Sequence, residues 1–328
     1  MSRRRFLASV MLTVVVAGLA FVPGCSRGSD PWNGTTKVKV LTTVAPLYCL
    51  TALIAEPDAE VLCLLGSQGP HDYQASPHEA RLLATADLFL SVGHGLEEFL
   101  DDIVRNANNP RLKIVRAAEA LSPDLLETTP GFVHFLPNGK ECRHDPGTDP
   151  HVWLGIPQAK SMVGVIRDTL CERDPTHAAN YKKRAADVVV RLDQLHAQGQ
   201  GLKIKGGIVT FHDSFRYFAR KDSFNMEIAG FIRGVKGQDL SGGELQKQAK
   251  EFREKNVRLI GIEPQYMQFR NVADQLARAI GAEKVRIVEL DPIETAPLLE
   301  GQSYRLDKEW YFRRMESNLA NLRQAFPE

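Results

Sequence analysis

The chain has 328 residues, of which 43% are hydrophobic and 25% are charged. This composition is close to the average of soluble globular proteins and excludes a disordered or collagen-like chain. The length is enough for one large domain or two ordinary ones. Lys and Arg number 41 against 40 Asp and Glu, so the formal net charge of +1 does not favour a nucleic-acid partner.

The first 24 residues have the pattern of an export signal. Arg3, Arg4 and Arg5 form a positive n-region, and residues 6–22 form an uncharged apolar run that is shorter than the ~20 residues of a membrane-spanning helix. We therefore predict a signal peptide over residues 1–24, whose removal leaves a net charge of −2. The arginines fit both a twin-arginine signal and an ordinary secretory signal, so the export route stays open.

A small residue and a cysteine close this segment, in Val22-Pro23-Gly24-Cys25. The pattern resembles the lipobox of bacterial lipoproteins, which implies that Cys25 is lipidated and becomes the mature N-terminus. Residues 25–36 would then be a lipid-anchor and linker segment. We expect the protein in the periplasm or cell envelope, attached to the membrane through this lipid.

From residue 37 onward, strand and helix patterns alternate. We predict an N-terminal α/β lobe over residues 37–175. Its elements are strand 37–42, helix 45–55, strand 60–65, helix 77–85, strand 88–92, helix 96–106, strand 112–115, a loop over 128–150 and helix 157–170.

Residues 178–198 have an amphipathic pattern and contain no internal Gly or Pro, so we predict one long continuous helix there. This helix is expected to connect the first lobe to a second one. The connector segment spans residues 176–202 and the C-terminal α/β lobe residues 203–328. The elements of the second lobe are strand 208–211, helix 215–220, strand 224–229, helix 244–255, strand 259–262, helix 271–280, strand 285–290 and helix 308–325. Strands separated by helices favour parallel pairing, so the predicted fold class is α/β with two roughly four-stranded parallel sheets.

Polar residues with metal-binding side chains follow several predicted strands. His71 lies in the loop after the second strand, His212 follows strand 208–211, Asp291 follows strand 285–290, and His151 closes the long loop. Open parallel sheets bind ligands outside the carboxyl ends of their strands, so these four residues could meet in one cleft. Taken singly, a loop histidine is more often solvated than a ligand, and Asp291 before a proline could be a turn residue.

Several ordered motifs resemble the metal-binding substrate-binding proteins of bacterial ABC transporters for zinc and manganese. They are Gly69-Pro70-His71-Asp72-Tyr73, Asp149-Pro150-His151-Val152-Trp153-Leu154, Thr210-Phe211-His212-Asp213-Ser214-Phe215, Ser241-Gly242-Gly243-Glu244 and Glu263-Pro264-Gln265. The resemblance covers residues 37–325 and implies two lobes, a rigid connecting helix and a metal held between the lobes. It assigns ligand roles to His71, His151 and His212, and Asp291 matches the usual carboxylate position.

The donor set implied by the resemblance favours zinc. Three imidazoles and one carboxylate suit Zn²⁺, whereas Mn²⁺ prefers more oxygen. Manganese and iron members of the family commonly have Glu in place of the third histidine, which is His212 here. Glu263 is the candidate for a residue that orients a ligand. We therefore expect a monomeric extracytoplasmic zinc-binding protein, not an enzyme, that delivers metal to an ABC permease in the inner membrane.

Other interpretations stay open. The same fold could belong to a manganese- or iron-binding homologue or to an adhesin, and a zinc hydrolase could use three protein ligands with Glu263 as general base. The loop at 133–149 contains His134 and His144, with Cys142 between them, and could be a shortened metal-collecting loop or a plain loop. The cysteines after Cys25 have no C-x-x-C spacing, and their spacing does not reveal a disulfide pairing: Cys49, Cys63, Cys142 and Cys171.

Overall fold

The computed structural model describes residues 31–327 except 74–76, 98, 136–140, 236–239 and 282. The predicted signal peptide and the lipidation site at Cys25 lie outside the described residues. Within the described ranges, none of the helices combines the length and the apolar character that a membrane crossing needs.

Two four-stranded parallel sheets form the framework of the protein, as the sequence predicts. The first contains β1 (Lys39–Thr42), β2 (Glu60–Cys63), β3 (Leu88–Ser91) and β4 (Lys113–Arg116) in the spatial order β2-β1-β3-β4. The second contains β9 (Gly207–Thr210), β10 (Glu227–Phe231), β11 (Val257–Ile262) and β12 (Arg286–Glu289) in the order β10-β9-β11-β12. Both sheets therefore share one topology, in which the strand order reverses between the first and third strands.

The helices follow the predicted order with small shifts at their ends. They are α1 (Ala45–Ala55), α2 (Pro77–Thr85), α3 (Leu100–Ala107), α4 (Ile156–Arg173), α5 (Ala178–Gly199), α6 (Arg216–Ala219), α7 (Gly242–Glu254), α8 (Arg270–Gly281) and α9 (Trp310–Ala325). The predicted connector corresponds to α5. The domain boundaries at residues 175 and 202 stay predictions.

The loop predicted at 128–150 and the strand predicted at 224–229 differ from the sequence prediction. The predicted loop 128–150 contains two short antiparallel pairs, β5 (Thr128–Thr129) with β8 (Gly147–Thr148) and β6 (Phe132–Phe135) with β7 (Glu141–His144). The strand expected at 224–229 begins only at Glu227, because Asn225 has a φ of +52° and the Phe224 ring packs on Phe218 instead. A left-handed residue cannot continue an extended strand.

One hydrophobic core joins the two sheets. It contains Val40 from β1 and Ile208 from β9, together with buried side chains of α1, α4, α5 and α9. The C-terminal helix α9 packs against α1 and α5 as well as β12. The lobes are thus joined by α9 as well as by the connector helix.

Three of the cysteines have described side chains, and all three are free thiols: Cys49, Cys63 and Cys171. Cys49 and Cys63 are fully buried, and burial raises the pKa of each thiol to about 12. At neutral pH they are uncharged and pack as small apolar side chains. The side chain of Cys142 lies outside the described residues.

The connector helix is attached to the C-terminal end of α1 through Arg184. Its guanidinium donates to the last carbonyls of α1, at 2.6 Å to Ile54 and 3.3 Å to Ala55, and to Asp58 Oδ2 at 2.7 Å. Asn180 donates to the same carboxylate at 2.9 Å. Carbonyls at a helix C-terminus have no partner within the helix, so the arginine satisfies groups that would otherwise be unpaired.

Replacing Asp58 by asparagine is expected to destabilise the protein by about 1 kcal/mol at pH 7. Burial alone would raise the pKa of Asp58, but the hydrogen bonds from Arg184 and Asn180 outweigh it and lower the pKa below its usual value. Stability from a lowered pKa is complete above the unfolded value of about 3.9 and is lost as the pH falls through the folded value. Urea unfolding of wild type and Asp58→Asn, repeated at about every pH unit from pH 2 to 7, measures the difference in the free energy of unfolding between the two proteins.

The matched control is Asp187→Asn, since Asp187 pairs with Lys183 within α5 and its side chain is 62% exposed. An exposed pair of this kind adds little to stability, so this variant should remain close to wild type at every pH. A difference between wild type and Asp58→Asn that persists undiminished in acid would contradict the role of the Asp58 charge.

Candidate metal centre

Three histidines from distant parts of the chain lie together between the sheets. His71 is in the turn after β2, His151 precedes the turn that leads into α4, and His212 follows β9. The ring centroids of His151 and His212 are 4.7 Å apart, those of His71 and His212 4.9 Å, and those of His71 and His151 6.1 Å. His151 and His212 are fully buried, and the side chain of His71 is 10% exposed.

The carboxylate of Glu294 lies at the centre of these rings. Its Oε1 is 3.3 Å from His71 Nε2, 3.2 Å from His151 Nε2 and 3.4 Å from His212 Nδ1. One donor atom from each of the four residues lies within 4.8 Å of all the others. Zinc bonds of 2.0–2.1 Å give a tetrahedron with edges of about 3.3–3.4 Å, so these nitrogen–oxygen distances fit a tetrahedral zinc site.

The charges of the cluster are mutually dependent. Burial alone would raise the pKa of Glu294, but the three histidines outweigh it and hold this pKa well below its usual value. Burial lowers the pKa of His151, whereas the carboxylates of Asp149 and Glu294 raise it, to about 9 overall. Without metal, Glu294 is therefore an anion beside a protonated His151, and a cation must displace that proton to bind the ring.

Asp149 orients His151 and is a residue that the sequence reasoning missed. Its Oδ1 lies 2.7 Å from His151 Nδ1 and accepts the His151 backbone N–H at 2.9 Å. This contact assigns a proton to Nδ1 and leaves Nε2 facing Glu294. The signal was present in the sequence as an acid two residues before a predicted ligand, in Asp149-Pro150-His151.

Glu263 lies next to the backbone of His212. It ends up beside His212 because β9 and β11 are neighbours and both residues follow the carboxyl ends of these strands. Glu263 Oε1 accepts the backbone N–H of His212 at 3.2 Å. Burial raises the pKa of Glu263 well above its usual value, which favours the neutral form of this carboxyl. This hydrogen bond is with the main chain of His212, so a role of Glu263 in orienting a ligand stays a prediction.

The structure corrects the sequence expectation for Asp291, which is not in the cluster. Asp291 Oδ1 accepts the N–H of Ile293 at 2.7 Å, and Oδ2 accepts from Arg314 Nε at 2.6 Å. Both carboxylate oxygens are thus engaged in the turn that follows β12. Glu294, three residues later, takes the place expected for Asp291.

A cavity of about 720 Å³ opens onto the cluster. His71 and His151 line it, and His94 also lines it without belonging to the cluster. The cavity gives a hydrated ion a route to the histidines. The two histidines of the loop at 133–149, His134 and His144, lie in β6 and β7, and their side chains are outside the described residues.

Known proteins resemble this chain over most of its length. The zinc-binding protein AdcA of Streptococcus pyogenes serotype M3 is 27% identical over 302 residues, which cover 88% of this chain and 56% of that protein. The high-affinity zinc uptake system protein ZnuA of Bacillus subtilis is 26% identical over 301 residues, covering 89% of this chain and 92% of that protein. The chain thus spans about half the length of the AdcA proteins it matches.

The fold is also found among solved structures. The Zn(II)-bound ZnuA-like domain of AdcA from Streptococcus pneumoniae superposes with a TM-score of 0.67 at 24% identity, covering 89% of this chain and 100% of that domain. The family model described as "Zinc-uptake complex component A periplasmic", ZnuA, matches residues 40–325. With the two-sheet fold and the histidine cluster in place, this match confirms the resemblance seen in the motifs, and the chain belongs to the ZnuA family of periplasmic zinc-uptake components.

Proposed function

We propose that this protein binds one Zn²⁺ outside the cytoplasm and delivers it to an ABC permease in the membrane. The ligands are His71, His151, His212 and Glu294. The observation that carries the proposal is the convergence of three imidazole nitrogens on one buried carboxylate oxygen, at 3.2–3.4 Å. The names of the AdcA and ZnuA relatives support zinc as the cargo.

The donor set favours zinc over manganese. Zn²⁺ readily takes four nitrogen and oxygen ligands, whereas Mn²⁺ is best served by a site rich in carboxylates, carbonyls and water. The cluster of described residues contains a single carboxylate, that of Glu294. Affinity order alone does not reject Cu²⁺ or Ni²⁺, so the supply of metal in the compartment contributes to selectivity.

The family is a transport component and not a class of enzyme. The geometry agrees with a binding role, since four protein donors complete a tetrahedral zinc site and leave no position for a catalytic water. Glu263, the candidate general base of the hydrolase alternative, contacts the backbone of His212. We infer further that Cys25 carries the lipid anchor and that the mature protein is a monomer.

Metal analysis of the full chain tests this function. Purified from its native compartment, the protein is expected to contain one zinc per chain and to retain it against a large excess of Mn²⁺. Delivery is tested by zinc accumulation in cells that lack the gene, with and without a plasmid copy. A protein that holds manganese in preference, or cells whose zinc uptake does not depend on the gene, would contradict the proposal.

A further inference from the structure

The residue before Glu294 has an unusual backbone conformation. Ile293 has a φ of +63° and is fully buried. In this left-handed region the side chain of an L-residue clashes with its own backbone, and a β-branched residue is rare there. Such a conformation persists only where the surrounding contacts impose it.

Asp291 supplies the contact that fixes this conformation. Its Oδ1 accepts the Ile293 N–H at 2.7 Å, so the side chain closes a turn onto the backbone two residues later. Its Oδ2 is held by Arg314 Nε at 2.6 Å. Its own backbone N–H and carbonyl are both paired with the Asn318 side chain, at 2.8 Å each.

The turn is attached to the His151 side of the site as well. The indole Nε1 of Trp153 donates to the carbonyl of Pro292 at 2.7 Å, and Trp153 is fully buried two residues after His151. The turn is therefore held by α9 through Arg314 and Asn318, and by the His151 segment through Trp153. These contacts fix the backbone at residues 291–293 and therefore the orientation of the backbone at Glu294.

We propose that Asp291 is a positioning residue for the metal centre: by holding Ile293 in the left-handed conformation, it aims the carboxylate of Glu294 at the three histidines. This inference rests on the proposed zinc function. It gives Asp291 a role through another residue, in place of the ligand role that its position suggests. Because Asp291 acts only through Glu294, its effect on zinc binding should vanish when Glu294 is absent.

A double-mutant cycle on the full chain tests this dependence. Zinc affinity is measured by competition with a chelator of known affinity for wild type, Asp291→Ala, Glu294→Ala and the double variant. We expect Asp291→Ala to weaken binding about tenfold or more, as is typical for residues that orient ligands. The double variant should bind zinc as Glu294→Ala does, within about threefold. Losses that multiply in the double variant would mean that Asp291 acts independently and would overturn the proposal.

Asp291→Asn separates the turn contact from the charge. The amide oxygen of asparagine can still accept the Ile293 N–H, so this variant should retain zinc affinity within about threefold of wild type. A loss as large as that of Asp291→Ala would mean that the carboxylate itself is needed, and would overturn the proposal. If Asp291→Ala does not fold, the zinc affinity of Asp291→Asn relative to wild type decides alone, and a loss of about tenfold or more would overturn the proposal.

The spectrum of bound Co²⁺ provides a readout that a purely structural role would not change. Its bands depend on coordination geometry, so Asp291→Ala should give the spectrum of Glu294→Ala, and Asp291→Asn that of wild type. Glu289→Gln is the matched control, because Glu289 also pairs with Arg314, at 2.8 Å, whereas the Ile293 N–H is hydrogen-bonded to Asp291. A wild-type protein that binds neither Zn²⁺ nor Co²⁺ would refute the proposed function itself, whereas the cycle addresses only Asp291.

Discussion

Replacing His212 by alanine should lower zinc affinity by at least about a hundredfold. Structural zinc in zinc-finger peptides binds with about 10–16 kcal/mol, so by that scale each of four ligands supplies on average roughly 3 kcal/mol, which corresponds to more than a hundredfold in Kd. His212 is fully buried, and a water molecule is a weaker ligand than the imidazole it would replace. Competition with a chelator of known zinc affinity measures the change.

His94→Ala is the matched control for this prediction. His94 lines the same cavity as His71 and His151 but does not belong to the cluster, so its removal should change zinc affinity by no more than about threefold. Thermal unfolding of both variants without metal shows whether the fold is intact. If His212→Ala binds zinc as tightly as wild type does, the ligand set is wrong.

Much of the fold and three residues of the cluster could be predicted from the sequence because they follow from local patterns. Parallel strands separated by helices place the ends of their strands at one edge of each sheet. His212 lies two residues after β9, and the loop with His71 follows β2, so position made both candidates, and the family resemblance gave them ligand roles. The buried Glu263 was located in the same way, at the end of β11.

The fourth residue of the cluster could not be predicted because its position depends on tertiary contacts. Asp291 and Glu294 both follow β12, and either could reach the histidines in an extended chain. Asp291 is held away from the cluster by Arg314 and Asn318. Both lie on α9, 23 and 27 residues after Asp291 in the sequence, so no local pattern reveals the contacts. Nothing in Asp291-Pro292-Ile293-Glu294 indicates that Ile293 takes a left-handed conformation.

The same limitation explains the errors in secondary structure. The helix predicted to begin at residue 96 begins at Leu100. Glu97 is used instead as an acceptor for the backbone N–H groups of Val92 and Gly93, at 2.8 and 2.9 Å, and for the hydroxyl of Thr43. A buried carboxylate that satisfies loop donors looks identical, in sequence, to an acidic residue in the first turn of a helix.

The arrangement of the ligands couples the metal to the whole fold. His71 and His151 belong to the first half of the chain, His212 follows β9 of the second sheet, and Glu294 follows β12. One ion would therefore connect segments from both sheets. Glu294 Oε1 lies 3.2 Å from His151 Nε2, so the segment after β12 and the segment before α4 already meet at the site.

Saturating zinc should accordingly raise the melting temperature of the protein by about 8 °C. A ligand that binds only the folded state at a thousand times its Kd adds about 4 kcal/mol of stability, and each kcal/mol shifts Tm by roughly 2 °C in a chain of this size. Calorimetry with and without Zn²⁺ measures the shift. Mg²⁺ at the same concentration is the control ion, because it prefers oxygen ligands and should leave Tm unchanged. The zinc shift should be several times smaller in His212→Ala. An undiminished shift in that variant, or none in wild type, would show that the ion does not bind between the two sheets.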